Sequence, residues 1–163
     1  MKISLRAGLS LKFKFIIGVV VLFSVMFFVT LGNAAAEEQP EPIVVFIDTN
    51  EVSFDVPPQI KNGTTLVAFR PLFEAFGMEV RWDSAKQLVT GVSDEVTIEL
   101  IIGENQATIN GESFELLEAA EIVKGNTLVP LRFISEATGA SVFWDPYHRE
   151  ISIVTLAFLE ENN

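Results

Sequence analysis

The stretch from Gly63 to Val92 recurs without a gap 62 positions later as Gly125 to Val154. Thr65, Leu66, Val67, Arg70, Glu74, Ala75, Gly77, Val80, Trp82 and Asp83 meet Thr127, Leu128, Val129, Arg132, Glu136, Ala137, Gly139, Val142, Trp144 and Asp145. With Gly63/Gly125 and Val92/Val154, the alignment holds 12 identities in 30 positions. Unrelated segments of ordinary composition would share roughly 2. The chain is therefore two copies of one structural unit, and a site in one copy has to be weighed against its counterpart in the other.

Residues 1–36 read as a targeting segment. Lys2, Arg6, Lys12 and Lys14 precede an apolar run from Phe15 to Leu31, and Ala34-Ala35-Ala36 supplies a small-residue cleavage pattern. The reading is a cleaved signal peptide, with retention as an N-terminal anchor as the alternative. In both cases the remainder is expected to be exported, secreted or held at the cell envelope. Residues 15–31 are the one membrane contact expected. The chain has no cysteine, so no disulfide supports the fold and the apolar core must suffice.

The four leader cations leave 7 basic against 22 acidic residues beyond it, a formal charge of −15. Such a surface repels nucleic acid and anionic lipid. Glu37 to Pro42 is an acidic, proline-containing linker. A domain over residues 43–157 follows, with copies at about 43–92 and 98–154, and Phe158 to Asn163 reads as a tail.

Ile43 to Ile47 reads as a buried strand, and Val52, Phe54 and Val56 alternate with polar residues as in a half-buried one. Asn62-Gly63 and Asn110-Gly111 signal tight hairpin turns. A short helix is expected over about Pro71 to Phe76, stopped by Gly77. Its counterpart opens at Pro130 and stops at Gly139. Hairpins follow each glycine, over Glu79 to Val92 and over Ser141 to Leu156. Leu117 to Ala120, which replace Asp55 to Pro58, are expected to be flexible or locally helical. The class is α+β: two pseudo-repeats, each of antiparallel hairpins packed on one short helix.

These residues resemble the copper amine oxidase-like N-terminal domain. The resemblance is carried by Ser53 to Ile60 with Asn62-Gly63 and Thr65-Leu66-Val67. It is carried again by Thr127 to Ala137 with Gly139 and Trp144-Asp145. The Leu-Val-Pro-Leu-Arg run at Leu128 to Arg132 is its most specific part. The first copy departs from it at Ala68 and Phe69. The resemblance implies a stalk fold, a small antiparallel sheet wrapped against a helix, known from exported Gram-positive envelope proteins. It brings no catalytic residues with it.

The residues themselves offer little chemistry. One histidine, His148, and one tyrosine, Tyr147, fall short of a copper and quinone centre. No Gly-x-Ser-x-Gly elbow and no Asp-x-Asp-x-Asp-Gly calcium loop occurs. Neither catalytic residue, cofactor nor metal is expected, and the chain is read as not an enzyme. Arg70 and Arg132 are expected to fork onto Asp83 and Asp145 and tie helix to hairpin. Trp82 and Trp144 are expected to pack over the helices, with sugar stacking as the alternative. Phe143 and Tyr147 are candidate ligand contacts. The leading reading is a non-catalytic module that meets a cell-wall component or envelope protein. A carbohydrate- or peptidoglycan-binding module and a structural spacer or accessory subunit are the alternatives.

Overall fold

The structure, a computed structural model, describes residues 41–162. The leader and most of the linker lie outside the described residues. Among the described residues, no helix is long and apolar enough to cross a membrane.

The chain is α+β, mostly strand with three short helices. The first copy runs β1 (Val44–Ile47), β2 (Asn50–Glu51), β3 (Gln59–Lys61), β4 (Thr64–Ala68), α1 (Phe69–Ala75), β5 (Glu79–Asp83) and β6 (Leu88–Val92). Then come β7 (Thr97–Ile101), β8 (Gln106–Ile109), β9 (Glu112–Glu115), β10 (Glu121–Val123) and β11 (Asn126–Pro130). The chain ends with α2 (Leu131–Ala137), β12 (Ser141–Asp145), β13 (Glu150–Val154) and α3 (Leu156–Glu161). From β4 to β6 and from β11 to β13 the bounds agree at the 62-residue offset, helices included.

Three sheets carry the strands, in the orders β12-β13-β1-β2, β10-β11-β4-β3 and β5-β6-β7-β8-β9. In the middle sheet β4 and β11 lie antiparallel, and Val67 faces Val129, its own counterpart. Alternation along these strands divides the interior. Val67 and Val129 join the main core with Leu72, Phe73, Leu131 and Ile134 of the helices and Val89 and Ile153 of the hairpins. Leu66, Ala68 and Leu128 face the other way and pack with Val56.

Both helices end as their glycines predict. Gly77 has φ +69° and Gly139 +83°. The Gly77 N–H donates to the Glu74 carbonyl and the Met78 N–H to that of Phe73, each at 2.9 Å. Gly139 and Ala140 repeat the pattern on Glu136 and Ser135, each at 3.0 Å. This two-bond closure needs a left-handed residue, which only glycine adopts freely. Gly77→Val and Gly139→Val should each lower stability by more than about 1 kcal/mol. Unchanged melting in both variants would mean that these closures do not hold the helices.

Several local expectations need correction. The helices begin at Phe69 and Leu131, so Pro71 lies within the first turn of α1 and Pro130 just precedes α2. Both places tolerate a missing N–H, so the displaced proline does not shift the helix. Val52 to Val56 form no ladder. Their side chains still alternate in and out, because Phe54 and Val56 cover the second apolar cluster. The sheets are not purely antiparallel: β1 pairs parallel with β13, Val45 beside Ile151. Leu117 to Ala120 are not helical. Glu118 accepts from Lys61 Nζ and from Asn62 Nδ2, each at 2.9 Å, and Ala120 is buried. The last strand stops at Val154, and the expected tail is mostly α3. Thr155 Oγ1 caps that helix by accepting from the Phe158 N–H at 3.2 Å.

Candidate functional site

Two grooves flank the helices. The first, about 390 Å³, is lined by Ile60, Gly63, Thr64, Thr65, Glu115, Leu116, Leu117, Pro130, Leu131, Arg132, Phe133, Glu136, Val142, Trp144 and Ile151. The second, about 430 Å³, is lined by Asp55, Ala68, Phe69, Arg70, Pro71, Glu74, Trp82, Gly125, Asn126 and Thr127. Each of the ten residues of the second has its counterpart, 62 positions away, lining the first. Each groove is also composite. The helix and tryptophan come from one copy, and the glycine turn with its threonine comes from the other.

The strand-to-helix corner explains how these side chains come together. Helix α2 starts directly after β11, so Arg132 and Glu136 stand one turn apart on its outer side. Arg132 Nη1 lies 3.4 Å from Glu136 Oε1, and it donates to the Val142 carbonyl at 3.1 Å. In the first copy Arg70 Nη1 lies 3.9 Å from Glu74 Oε1, and its guanidinium sits 5.4 Å from the centre of the Phe69 ring. The expected arginine–aspartate forks are therefore absent. Arg132 does reach the following hairpin, but through a carbonyl. The aspartates cap their own turns instead. Asp83 Oδ1 accepts from the Ala85 and Lys86 N–H groups at 2.9 and 3.1 Å. Asp145 Oδ1 accepts from those of Tyr147 and His148 at 2.8 and 3.3 Å. A short aspartate beside a turn meets those amides more readily than a distant guanidinium.

The tryptophans do not join the buried core. Trp82 and Trp144 remain 39% and 38% exposed, nearly the same fraction, each at the edge of its groove. They lie near the ends of β5 and β12. Phe143 and Tyr147 are exposed but line neither groove. Phe143 neighbours Trp144 on β12, and strand alternation sends the two to opposite faces.

His148 Nδ1 lies 2.7 Å from Asp145 Oδ2. This hydrogen bond raises the histidine pKa above its ordinary 6.5. It also lowers that of Asp145, with help from the Tyr147 N–H. A raised histidine pKa favours folding below the unfolded value, and that contribution fades as pH climbs through the folded one. Both groups are exposed, so the effect on stability is small. An NMR titration should place the His148 midpoint above 6.5, and Asp145→Asn should bring it back toward that value. Equal midpoints in the two proteins would exclude the pairing.

Sequence reasoning passed over Thr65, Thr127, Glu74 and Glu136 as site residues. The signal was present in the repeat: they are polar and identical in both copies.

Residues 46–153 match the family described as Copper amine oxidase N-terminal domain. The chain belongs to this family. Its defining module is a non-catalytic domain. No curated protein matches the chain. The match runs from within β1 to within β13 and takes in both copies, and with them both grooves.

Proposed function

We propose that this chain is a non-catalytic exported module that mediates interaction at the cell envelope. Its two hairpin–helix units pack as one pseudo-symmetric domain, and the two grooves are its contact surface. One observation carries the reading. Five of the identities between the copies, Gly63/Gly125, Thr65/Thr127, Arg70/Arg132, Glu74/Glu136 and Trp82/Trp144, line the grooves. The arginine and glutamate side chains are more than half exposed, and such ion pairs contribute about 0–1 kcal/mol to stability. Folding alone gives little reason for both copies to keep them. A recognised ligand gives one.

The alternative, a carbohydrate- or peptidoglycan-binding module, is favoured by the matched exposure of the two tryptophans, because a sugar-stacking side chain has to reach solvent. Co-sedimentation of the full chain with isolated cell-wall material, with and without its polysaccharides, tests both readings. Sedimentation lost on stripping supports the carbohydrate form. Sedimentation that persists on stripped wall supports a protein contact. A chain left in solution in both cases rejects envelope binding.

A further inference from the structure

We infer that each groove holds a short stretch of neutral glycan, and that the first groove takes an N-acylated sugar. This rests on the reading of the grooves as the contact surface. Each groove offers an exposed indole beside an arginine and a glutamate one helical turn apart. A pyranose presents a C–H face that stacks on an aromatic ring. Its neighbouring hydroxyls donate to a carboxylate and accept from a guanidinium at the same time.

Charge narrows the choice. Each groove sets one arginine against two carboxylates, Arg132 with Glu115 and Glu136, and Arg70 with Asp55 and Glu74. The chain as a whole carries −11. A polyanionic ligand is repelled by such a surface. A cationic segment meets a guanidinium in each groove and a glutamate already paired with it. A neutral polyhydroxyl ligand has neither difficulty.

The grooves differ at five of their ten counterpart positions: Ala68/Pro130, Phe69/Leu131, Asn126/Thr64 and two more that bear on the choice of sugar. Leu117 and Phe133 in the first stand where Asp55 and Pro71 stand in the second. Leu117 is 93% exposed, an apolar side chain with no packing role that would explain it. An apolar wall next to a sugar platform suits the methyl of an acetamido group. Asp55 in the second groove suits a plain hydroxyl.

Tryptophan fluorescence of the full chain, titrated with the β-1,4-linked tetramer of N-acetylglucosamine and with cellotetraose, tests this. The acetylated tetramer should saturate with two phases. Trp144→Ala should weaken the tighter phase at least ten-fold and Trp82→Ala the weaker one, while Trp144→Phe keeps most of the binding. Leu117→Asp should erase the preference for the acetylated tetramer without changing binding of cellotetraose. Melting curves of the variants should match the wild type, which separates lost binding from lost folding. No saturable change with either tetramer overturns the glycan assignment. So does binding that the tryptophan variants leave intact. In either case, sedimentation on stripped wall that the Trp82→Ala/Trp144→Ala double variant loses keeps the grooves as a contact surface and makes the occupant a protein. Sedimentation that the double variant retains rejects the grooves as well.

Discussion

Gly91→Ile should unfold well below the wild-type denaturation midpoint, and adding Phe73→Ser should restore much of the loss. A Cβ at position 91 would stand 2.3 Å from both Cδ1 and Cε1 of Phe73. Neither side yields easily. Gly91 lies in β6, paired to β5 at Val80 and to β7 at Ile98, and the Phe73 ring is fully buried. Overpacking of this kind costs about 3 kcal/mol or more. Phe73→Ser alone removes a buried aromatic ring, a change of about 3–5 kcal/mol if judged by phenylalanine-to-alanine substitutions. The second copy indicates why the pair should compensate. The counterparts of Phe73 and Gly91 are Ser135 and Ile153, small where the first copy is large and large where it is small, and both are buried. Urea denaturation of the wild type, the two single variants and the double variant gives the coupling directly. We expect it to favour the double variant by about 1–3 kcal/mol. Simple additivity would show that the two positions do not share one space.

Val45→Asp should leave a chain that does not fold, and Val45→Ala one weakened by about 2 kcal/mol. Val45 is 1% exposed and sits beside Ile151 in the parallel pair of β1 with β13. A carboxylate there would lose its water and join a cluster of Ile43, Ile47, Ile151 and Ile153. An unpaired buried charge of this kind is among the most damaging of single changes. With total stability of roughly 5–15 kcal/mol in small domains, about 4 kcal/mol or more is enough to depopulate the native state at moderate temperature. Circular dichroism and thermal melting of the two variants measure it. Normal melting of Val45→Asp would mean that β1 does not dock on β13. The same result would remove the closure of the fold, since this strand joins the beginning of the described chain to its end.

Much of the local structure was legible. Turn residues placed the hairpins of β5 with β6 and of β12 with β13, the glycines located the helix ends, and Asn-Gly located two of the hairpin turns. A third primed turn, Lys124-Gly125, was not legible. Lysine rarely takes the φ of +50° seen there, and the hairpin imposes it. The parallel β1–β13 pair was hidden for a different reason. Nothing local in Val44 to Ile47 says which strand lies beside it, and hairpin reasoning considers only sequence neighbours. The site was half legible. Arg70, Arg132, Trp82 and Trp144 stood out by identity between the copies, yet the arginines meet Glu74 and Glu136 and not the aspartates expected of them. The aspartates looked like ion-pair partners because charge was considered before turn geometry. The grooves themselves arise where a turn of one copy meets a helix of the other, a juxtaposition that spacing along one copy cannot reveal.

The facing of Val67 with Val129 reaches beyond the packing of one sheet. A strand laid antiparallel on its own counterpart is the arrangement that two identical subunits adopt across a homodimer interface. Here the partners are covalently joined, so they meet at an effective concentration fixed by the connecting chain, and dilution cannot separate them. Identical subunits must change together, because one gene writes both. Joined halves need not. Leu117 can differ from Asp55 while Trp144 still matches Trp82, so the two grooves need not be alike.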